Sequence, residues 1–362
     1  MGEFLRNSLI IGIISFRRHI LRYGKGDKGM AEVHNDILQF FPGKMRDEWK
    51  DKIQEIDKSK KNNWAVQEIR LRVNKRVVLI IDGKEYITDV IYSDKAMEDI
   101  FKYLCHDSIY AYEEERRQGY LTMPHGHRIG ITGELIYIEG QGYIAKYVRY
   151  VNIRIAHQIK GVASRIMHYM YDDNDQPLNT LIISSPGIGK TTLLRDMIRL
   201  FSDGSIYEGD MDNSERGKKK DYAGVNVGVI DERGEIAGAY HGSCTLDCGM
   251  RTDIVTGGDK DKGVRILVRT FAPRIIAMDE IGGKRDADAI YYAGVSGCSI
   301  LATVHGNSLS DIQNKPELSG LIENECFQRV ILLSKTVDGR RYIEITDGKG
   351  NEICGRKLLQ AY

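Results

Sequence analysis

The stretch that decides the fold is NTLIISSPGIGKTTLLRDMIR, residues Asn179–Arg199. Its beginning is short, apolar and rich in β-branched side chains, which predicts a buried strand over 178–185. The segment PGIG at 186–189 then interrupts regular structure, and from Lys190 onward apolar residues recur at helical spacing. A strand, a glycine turn and a helix in this order are typical of a loop that binds phosphate.

The residues of this turn suit a nucleotide triphosphate. Its glycines can adopt positive φ, so that successive backbone N–H groups curve toward one anion, and the helix adds the positive end of its dipole. Lys190 would reach the β- and γ-phosphates, and the Thr191 hydroxyl would bind Mg²⁺. Ser184 stands where the usual motif begins with glycine. We expect the nucleotide to contact Ser185, Pro186, Gly187, Ile188, Gly189, Lys190, Thr191 and Thr192.

Length, charge and cysteine usage bound the remaining possibilities. A chain of 362 residues accommodates two medium domains. Its net charge of +1 provides no global field toward nucleic acid, so we do not expect a nucleic-acid partner. Six scattered cysteines suit a reduced cytoplasmic protein better than a disulfide framework. Cys244 and Cys248 have no second close pair beside them, which disfavours a zinc site.

We predict an N-terminal extension over residues 1–29, followed by a smaller α+β domain over 30–160. The apolar run LIIGIISF at 9–16 is too short to span a bilayer. The extension is therefore interpreted either as a mis-assigned start before Met30 or as a tail that touches a membrane peripherally. Within the α+β domain we expect helices over 34–56 and 93–119, and a β-hairpin over 66–92 with an Asp-Gly turn.

The histidines of MPHGHRIG, His125 and His127, stand one residue apart in a strand-rich segment. Because no further ligand follows closely, we interpret them as part of a turn and not as a metal site.

A P-loop ATPase domain is predicted over 161–362. Strands are expected at 178–185, 227–231, 274–279, 298–304 and 327–334, with helices between most of them. This alternation predicts an α/β fold of the RecA/AAA-like P-loop NTPase class with a mainly parallel sheet. The charged segment 208–224 is interpreted as a surface insertion, and 341–358 as a C-terminal β-hairpin.

Two predicted strands end in adjacent carboxylates. PRIIAMDEIGG ends in Asp279, which we expect to bind Mg²⁺, and Glu280, which we expect to polarise an attacking water. VGVIDERGEIAG ends in Asp231 and Glu232, which we expect beside the tip of the P-loop strand. The second pair is alternatively a helix cap and a salt-bridge cluster with Arg233. A glutamate at the first pair favours nucleotide hydrolysis over phosphorylation of a small molecule.

Two further groups are expected to act on the γ-phosphate. CSILATVHGNSLSD is a strand whose alternation puts Thr303 and His305 on one face, with His305 toward the phosphate. Arg265 and Arg269 lie four apart on a predicted helix and would compensate phosphate charge.

These motifs come in an order that resembles the type II and type IV secretion ATPases. Over about nine tenths of its length, the chain more closely resembles the stage III sporulation protein AA family, through GYLTMPHGHRIGITGE, NIRIA, LIISSPGIGKTTLLRD, VGVIDERGEIAG and MRTDIV. The resemblance implies a cytoplasmic ATPase that energises or supports a channel or secretion complex with membrane proteins during sporulation. It also implies a homo-oligomer, commonly a hexameric ring with nucleotide at subunit boundaries.

The first hypothesis is therefore a Mg²⁺-dependent ATP hydrolase. In it Glu280, Glu232, His305, Arg265 and Arg269 act on ATP, and Thr191 and Asp279 hold the metal. Arg251 is a further candidate for compensating charge. The alternatives are an ATP-dependent nucleic-acid remodeller, which would need a basic channel, and an ATP-gated scaffold with little turnover.

Overall fold

The computed structural model describes residues 37–60, 66–81, 83–105, 117, 119–139, 142–208, 219–240, 242–336 and 339–359. The predictions for residues 1–29 and for the middle of the 208–224 segment lie outside these residues. The chain divides into two compact units. Described residues of Met1–Glu113, Thr132–Ile136 and Ala145–Val151 form the first, and those of Glu114–Ile131, Tyr137–Ile144 and Asn152–Tyr362 form the second.

The first unit begins with helix α1 (Gly43–Lys60), which starts directly after Pro42. Strands β1 (Val66–Arg72), β2 (Arg76–Ile81) and β3 (Lys84–Ile91) follow as an antiparallel meander, and helix α2 (Asp94–Leu104) comes next. The predicted hairpin thus contains one more turn, at Asn74, whose φ is 57°. Trp49 anchors α1, since its ring stacks on Phe41 at 5.0 Å and its Nε1 donates to the Tyr92 hydroxyl at 2.9 Å.

Three more strands complete a six-stranded sheet of order β3-β2-β1-β6-β5-β4. They are β4 (Tyr120–Thr122), β5 (Arg128–Ile138) and β6 (Gly142–Arg154). His125 lies between β4 and β5 in a 3-10 turn with φ 66°, and the buried His127 accepts a hydrogen bond at Nδ1 from the Ala156 N–H (3.0 Å).

The second unit is built on an eight-stranded sheet of order β11-β10-β12-β13-β7-β14-β15-β16. In chain order its elements are β7 (Thr180–Ser184), α3 (Lys190–Asp203), β10 (Val227–Asp231), β11 (Thr252–Thr256), α4 (Lys260–Phe271), β12 (Ile275–Met278), α5 (Lys284–Val295), β13 (Ser299–His305), α6 (Leu309–Gln313), α7 (Ser319–Glu323), β14 (Arg329–Lys335), β15 (Arg341–Thr346) and β16 (Glu352–Leu358).

The sheet is mixed. The six neighbouring strands β11-β10-β12-β13-β7-β14 pair in parallel. The pairs β14–β15 and β15–β16 are antiparallel, so the parallel sheet expected from the sequence carries an antiparallel edge. Both faces are covered: Ile182 of β7 packs into one hydrophobic cluster with α3, while Leu181 and Ile183 pack into a second cluster with α4 and α5. A strand buried on both faces reads as a continuous apolar run, which is why β7 was recognisable.

Three details depart from the sequence-based predictions. The ends of the 208–224 segment contribute to two paired strands, β8 (Gly204–Glu208) and β9 (Lys219–Ala223), where no strand was expected. Strand β11 was not predicted, because TDIVT alternates too briefly to stand out. Strand β10 does not lie beside β7, since β12 and β13 separate them. Among the described residues no helix is both long and apolar enough to cross a bilayer.

Candidate functional site

We call residues 185–189, between β7 and α3, the phosphate loop, after the ligand that the sequence predicts for it. Gly187 has φ 75° and Gly189 has φ 113°, backbone conformations that residues with a Cβ rarely adopt. Gly189 is also the N-cap of α3, so no side chain covers the first N–H groups of that helix. Ser184, at the position of the usual glycine, is buried as the last residue of β7, and its hydroxyl donates to the Ser185 carbonyl at 2.7 Å.

Lys190 is held close to the tip of β13. It is 7% exposed, and its Nζ lies 3.3 Å from His305 Nδ1. Burial lowers the pKa of Lys190, while the carboxylates of Asp279 and Glu280 oppose that shift. His305 Nδ1 is also 3.3 Å from the Ser184 carbonyl, so the tautomer of the imidazole decides whether Nδ1 donates to the carbonyl or accepts from the lysine. His305 therefore links the phosphate loop to the next strand of the sheet.

A run of hydrogen bonds joins the loop to the tips of β13 and β12. Thr191 Oγ1 donates to Asp279 Oδ2 at 3.0 Å, and Thr303 Oγ1 donates to Asp279 Oδ1 at 2.5 Å. The same Thr303 hydroxyl accepts from the Glu280 N–H at 2.9 Å. Thr191 therefore connects the first turn of α3 directly to Asp279, and Thr303 of β13 holds both residues that follow β12. We call Thr191, Asp279, Thr303 and Glu280 the hydroxyl–carboxylate chain.

Glu280 has a left-handed backbone, with φ 49°. For a residue with a side chain this conformation costs on the order of 1–3 kcal/mol and has to be held by its surroundings. The Glu280 side chain pairs with Arg233 at 2.9 Å, and its other oxygen lies 3.6 Å from His305 Nε2. Both partners of the Arg233 pair are largely exposed, at 57% and 40%, so this ion pair contributes little stability.

Asp231 stabilises the loop after β10. It is 1% exposed, and its carboxylate accepts hydrogen bonds from the Ile236 and Ala237 N–H groups at 3.1 and 2.8 Å. Burial raises the pKa of Asp231, although the two backbone donors act in the opposite direction. Glu232 points elsewhere, and its carboxylate lies 3.5 Å from Lys260 Nζ. Asp231 thus caps a loop and not the helix of the alternative interpretation, and Arg233 pairs with Glu280. Glu232 lines the pocket described below.

The same loop is held from the other side by Arg195 of α3. This guanidinium is 5% exposed and donates to the backbone carbonyls of Ile236 and Glu235. Arg128 adds an ion pair to the Glu235 carboxylate at 2.7 Å and a hydrogen bond to the Arg233 carbonyl at 2.9 Å. The helix that starts at the phosphate loop is therefore tied directly to the loop after β10.

The predicted arginines lie apart from these residues within the chain. Arg265 pairs with Asp261 of the same helix at 3.0 Å, and its guanidinium lies over the Tyr292 ring of α5 at 4.5 Å. Arg269 is exposed and lies about 14 Å along the α4 axis from Lys260. Arg251 donates to the carbonyl of Ser202, near the end of α3 distant from the phosphate loop. The structure thus does not bring these three arginines to Lys190 or Asp279.

The site is acidic and suits a divalent cation that is shared with a ligand. Five carboxylates and two cations line one pocket: Asp231, Glu232, Glu235, Asp279, Glu280, Arg233 and Lys260. No group of three His, Cys, Asp or Glu side chains with metal-ligand geometry occurs in the described part of the chain. Mg²⁺ commonly binds through one or two protein oxygens plus phosphate oxygens, and the paired oxygens of Thr191 and Asp279 fit that pattern.

Lys260, Asn307 and Thr303 were not assigned a role from the sequence. Lys260 donates to the Glu280 carbonyl at 2.8 Å, Asn307 Oδ1 accepts from the Ser185 hydroxyl at 2.5 Å, and Thr303 bridges Asp279 and Glu280. Thr303 was recognisable by strand alternation only as a residue on the face of His305. Lys260 stands in the charged run GDKDKG and carries no local signal. None of the six cysteines, each of which lies within the described residues, forms a disulfide bond.

Comparison with known proteins gives the family. Residues 34–353 match the family described as Sporulation stage III, protein AA. The chain is similar to the stage III sporulation protein AA of Bacillus subtilis (strain 168), with 34% identity over 318 residues that cover 88% of this chain and 96% of that protein. It also shares 30% identity over 149 residues with the uncharacterized protein ycf45 of Porphyra purpurea, covering 41% of this chain and 23% of that protein.

Among solved structures, the ATPase DotB of Yersinia pseudotuberculosis has a similar fold. The TM-score is 0.54 at 13% identity, covering 86% of this chain and 81% of that chain. At this identity the likeness concerns the α/β fold alone. Because the family match spans most of the sequence, this chain belongs to the Sporulation stage III, protein AA family.

Proposed function

We propose that this protein is a Mg²⁺-dependent ATP hydrolase that energises or supports a channel or secretion complex in sporulation. The observation that carries the proposal is the hydroxyl–carboxylate chain, in which Thr191 and Thr303 both donate to Asp279, at 3.0 and 2.5 Å. It joins a helix-capping glycine loop to a strand-end carboxylate, the two parts that hold a metal–triphosphate group. The family's sporulation name and the fold likeness to an ATPase support the same conclusion.

Each residue then has a distinct task. Lys190 offsets charge on the β- and γ-phosphates, and the backbone N–H groups of Ser185 and of Gly187 to Thr192 surround them. Thr191 and Asp279 hold Mg²⁺, which when bound neutralises phosphate charge. Glu280 accepts a proton from the attacking water, since its carboxylate lines the same pocket as that of Asp279. The exposed ion pair with Arg233 is weak enough to separate when Glu280 turns toward that water.

His305 and Glu232 flank the proposed γ-phosphate position from two sides. His305 lies between Lys190 and Glu280, at 3.3 and 3.6 Å, so it is placed to respond to the terminal phosphate. The Glu232 carboxylate lies 3.5 Å from Lys260 Nζ and lines the same pocket as Glu280.

We further propose that the protein works as a homo-oligomer, a hexameric ring, at the cytoplasmic side of membrane proteins of the complex. Arg265 and Arg269 do not reach the phosphate loop of their own chain. In a ring, the exposed Arg269 is available to nucleotide bound by a neighbouring subunit. Light scattering after size-exclusion chromatography, with and without ATP, tests this assembly.

The hydrolysis proposal is tested with two variants. Lys190→Ala is expected to lose ATP binding and turnover, because the loop loses its cation. Glu280→Gln is expected to bind ATP normally but to turn over at least about 100-fold more slowly, because the amide cannot accept the proton. Binding is measured with a fluorescent ATP analogue and turnover by phosphate release.

A matched control is Glu352→Gln, a similar exchange at an exposed position of edge strand β16, which is expected to leave both measurements unchanged. Wild-type turnover in Glu280→Gln would remove the assigned base. Absence of Mg-nucleotide binding by the wild-type protein would remove the proposed function as a whole.

A further inference from the structure

Lys260 is a nearly buried cation at the junction of three chain segments. It is the first residue of α4, and its side chain is 11% exposed. Its Nζ donates to the Glu280 carbonyl at 2.8 Å and lies 3.5 Å from the Glu232 carboxylate and 3.6 Å from that of Asp286. One ammonium group thus contacts the residue after β10, the turn after β12 and the start of α5.

We propose that Lys260 is a positioning residue for Glu280: by fixing the Glu280 carbonyl, it aims the carboxylate that activates water. The inference rests on the proposed function and adds a residue to that same site. Lys260 itself touches no reacting atom in this assignment and acts only through Glu280.

The backbone of Glu280 needs such support. Its φ of 49° lies in the left-handed region, which a residue with a side chain keeps only when its neighbours hold it. Thr303 holds the preceding side, by accepting the Glu280 N–H at 2.9 Å, and its carbonyl accepts the Ile281 N–H at 2.8 Å. Lys260 provides the bond on the Glu280 carbonyl. Without it, the peptide between 280 and 281 keeps a single partner on its N–H side, and the direction of the Glu280 side chain loosens.

The chemistry of a lysine suits this position. An ammonium has three donors and no acceptor, and here a carbonyl and two carboxylates surround it. Its charge is also set among five pocket carboxylates, which would otherwise repel one another. The long aliphatic stem is buried, so methionine preserves most of the packing while removing both the donors and the charge.

A positioning role predicts a particular kinetic pattern. Lys260→Met is expected to lower kcat for ATP by on the order of 10–100-fold, because small displacements of a catalytic group have effects of that size. The KM for ATP and the affinity for a fluorescent ATP analogue are expected to stay within about twofold, since no phosphate contact is lost. Lys260→Arg keeps donors and charge and is expected to recover most of the turnover.

Two comparisons separate this role from a general structural one. In a Glu280→Gln background, Lys260→Met is expected to cause no further loss, because the group that it positions no longer accepts a proton. Lys262→Met is the matched control, since Lys262 is exposed on the same helical turn, and it is expected to be neutral. Thermal unfolding of every variant checks that it folds, and Lys260→Gln replaces Lys260→Met if the latter does not.

Several results would overturn the inference. These are an unchanged kcat in Lys260→Met, a loss of nucleotide affinity of the same size as the loss of kcat, or an equal loss in the Glu280→Gln background. Each of them leaves wild-type hydrolysis, and so the proposed function, in place. A wild-type protein without turnover overturns both proposals together.

Discussion

Replacing Thr303 by valine removes one oxygen from the centre of the hydroxyl–carboxylate chain and keeps the shape of the side chain. Thr303 is fully buried, donates to Asp279 at 2.5 Å and accepts the Glu280 N–H at 2.9 Å. Valine fills nearly the same volume but can neither donate nor accept. Two groups that are hydrogen-bonded in the native protein, one of them a carboxylate, therefore each lose a partner.

The size of the effect follows from those two bonds. A hydrogen bond to a charged group contributes about 1.5–3 kcal/mol, and a buried N–H left without a partner costs about 1–3 kcal/mol. Asp279 and Glu280 are half-buried, so water recovers part of this loss. We expect Thr303→Val to lower the free energy of unfolding by about 2–4 kcal/mol, and the Tm by about 5–10 °C.

The control is Thr303→Ser, which keeps the hydroxyl and loses a buried methyl group. Its expected cost is about 1 kcal/mol. Thermal and urea unfolding of the three proteins without nucleotide measure the order wild type, Ser, Val from most to least stable. If packing governed this position, valine would be more stable than serine, and that order would refute the role given to the hydroxyl. The test is independent of any activity assay.

Two further predictions concern stability elsewhere in the chain. Burial lowers the pKa of His127 from 6.5 to about 3, so the native state holds this side chain neutral. Its contribution to the free energy of unfolding is complete above pH 6.5. That contribution is lost as the pH falls, by about 2 kcal/mol between pH 7 and pH 5. Urea unfolding at both pH values measures this, and His127→Gln should flatten the dependence; an equally steep dependence in the variant would contradict it. A Cβ on Gly133 would lie 1.7 Å from the Tyr147 carbonyl, so Gly133→Ala should cost about 3 kcal/mol, whereas Gly130→Ala, whose Cβ would meet its nearest atom at 3.8 Å, should cost much less.

Local patterns were sufficient to predict every strand of the eight-stranded sheet except β11, and the turn after β7. The expected strands at 227–231, 274–279 and 298–304 are observed as Val227–Asp231, Ile275–Met278 and Ser299–His305. Each is a continuous apolar run, because both faces of the sheet are covered. Strand ends could therefore be located, and with them the carboxylates that follow.

The order of strands in the sheet could not be predicted in the same way. Hydrophobic periodicity identifies an element but not its neighbour, so the separation of β10 from β7 by two strands was missed. The role of Thr303 depends on that order, because its hydroxyl reaches Asp279 and Glu280 from β13, the strand that pairs with β12. Lys260 was missed for a related reason: its partners come from three segments distant in sequence. The antiparallel edge formed by β15 and β16 was predicted as a hairpin, but its attachment to the parallel strands was not.

The buried Arg195 determines which segments around the phosphate loop move together. Its guanidinium is bonded to two main-chain carbonyls of the loop after β10, and pulling it away would strand a charge in the interior at a cost of several kcal/mol. A tilt of α3 that accompanies a change at its first turn is therefore expected to move the loop after β10 together with the helix. The Arg233–Glu280 contact is open to solvent, so the loop after β10 can shift there relative to the turn after β12.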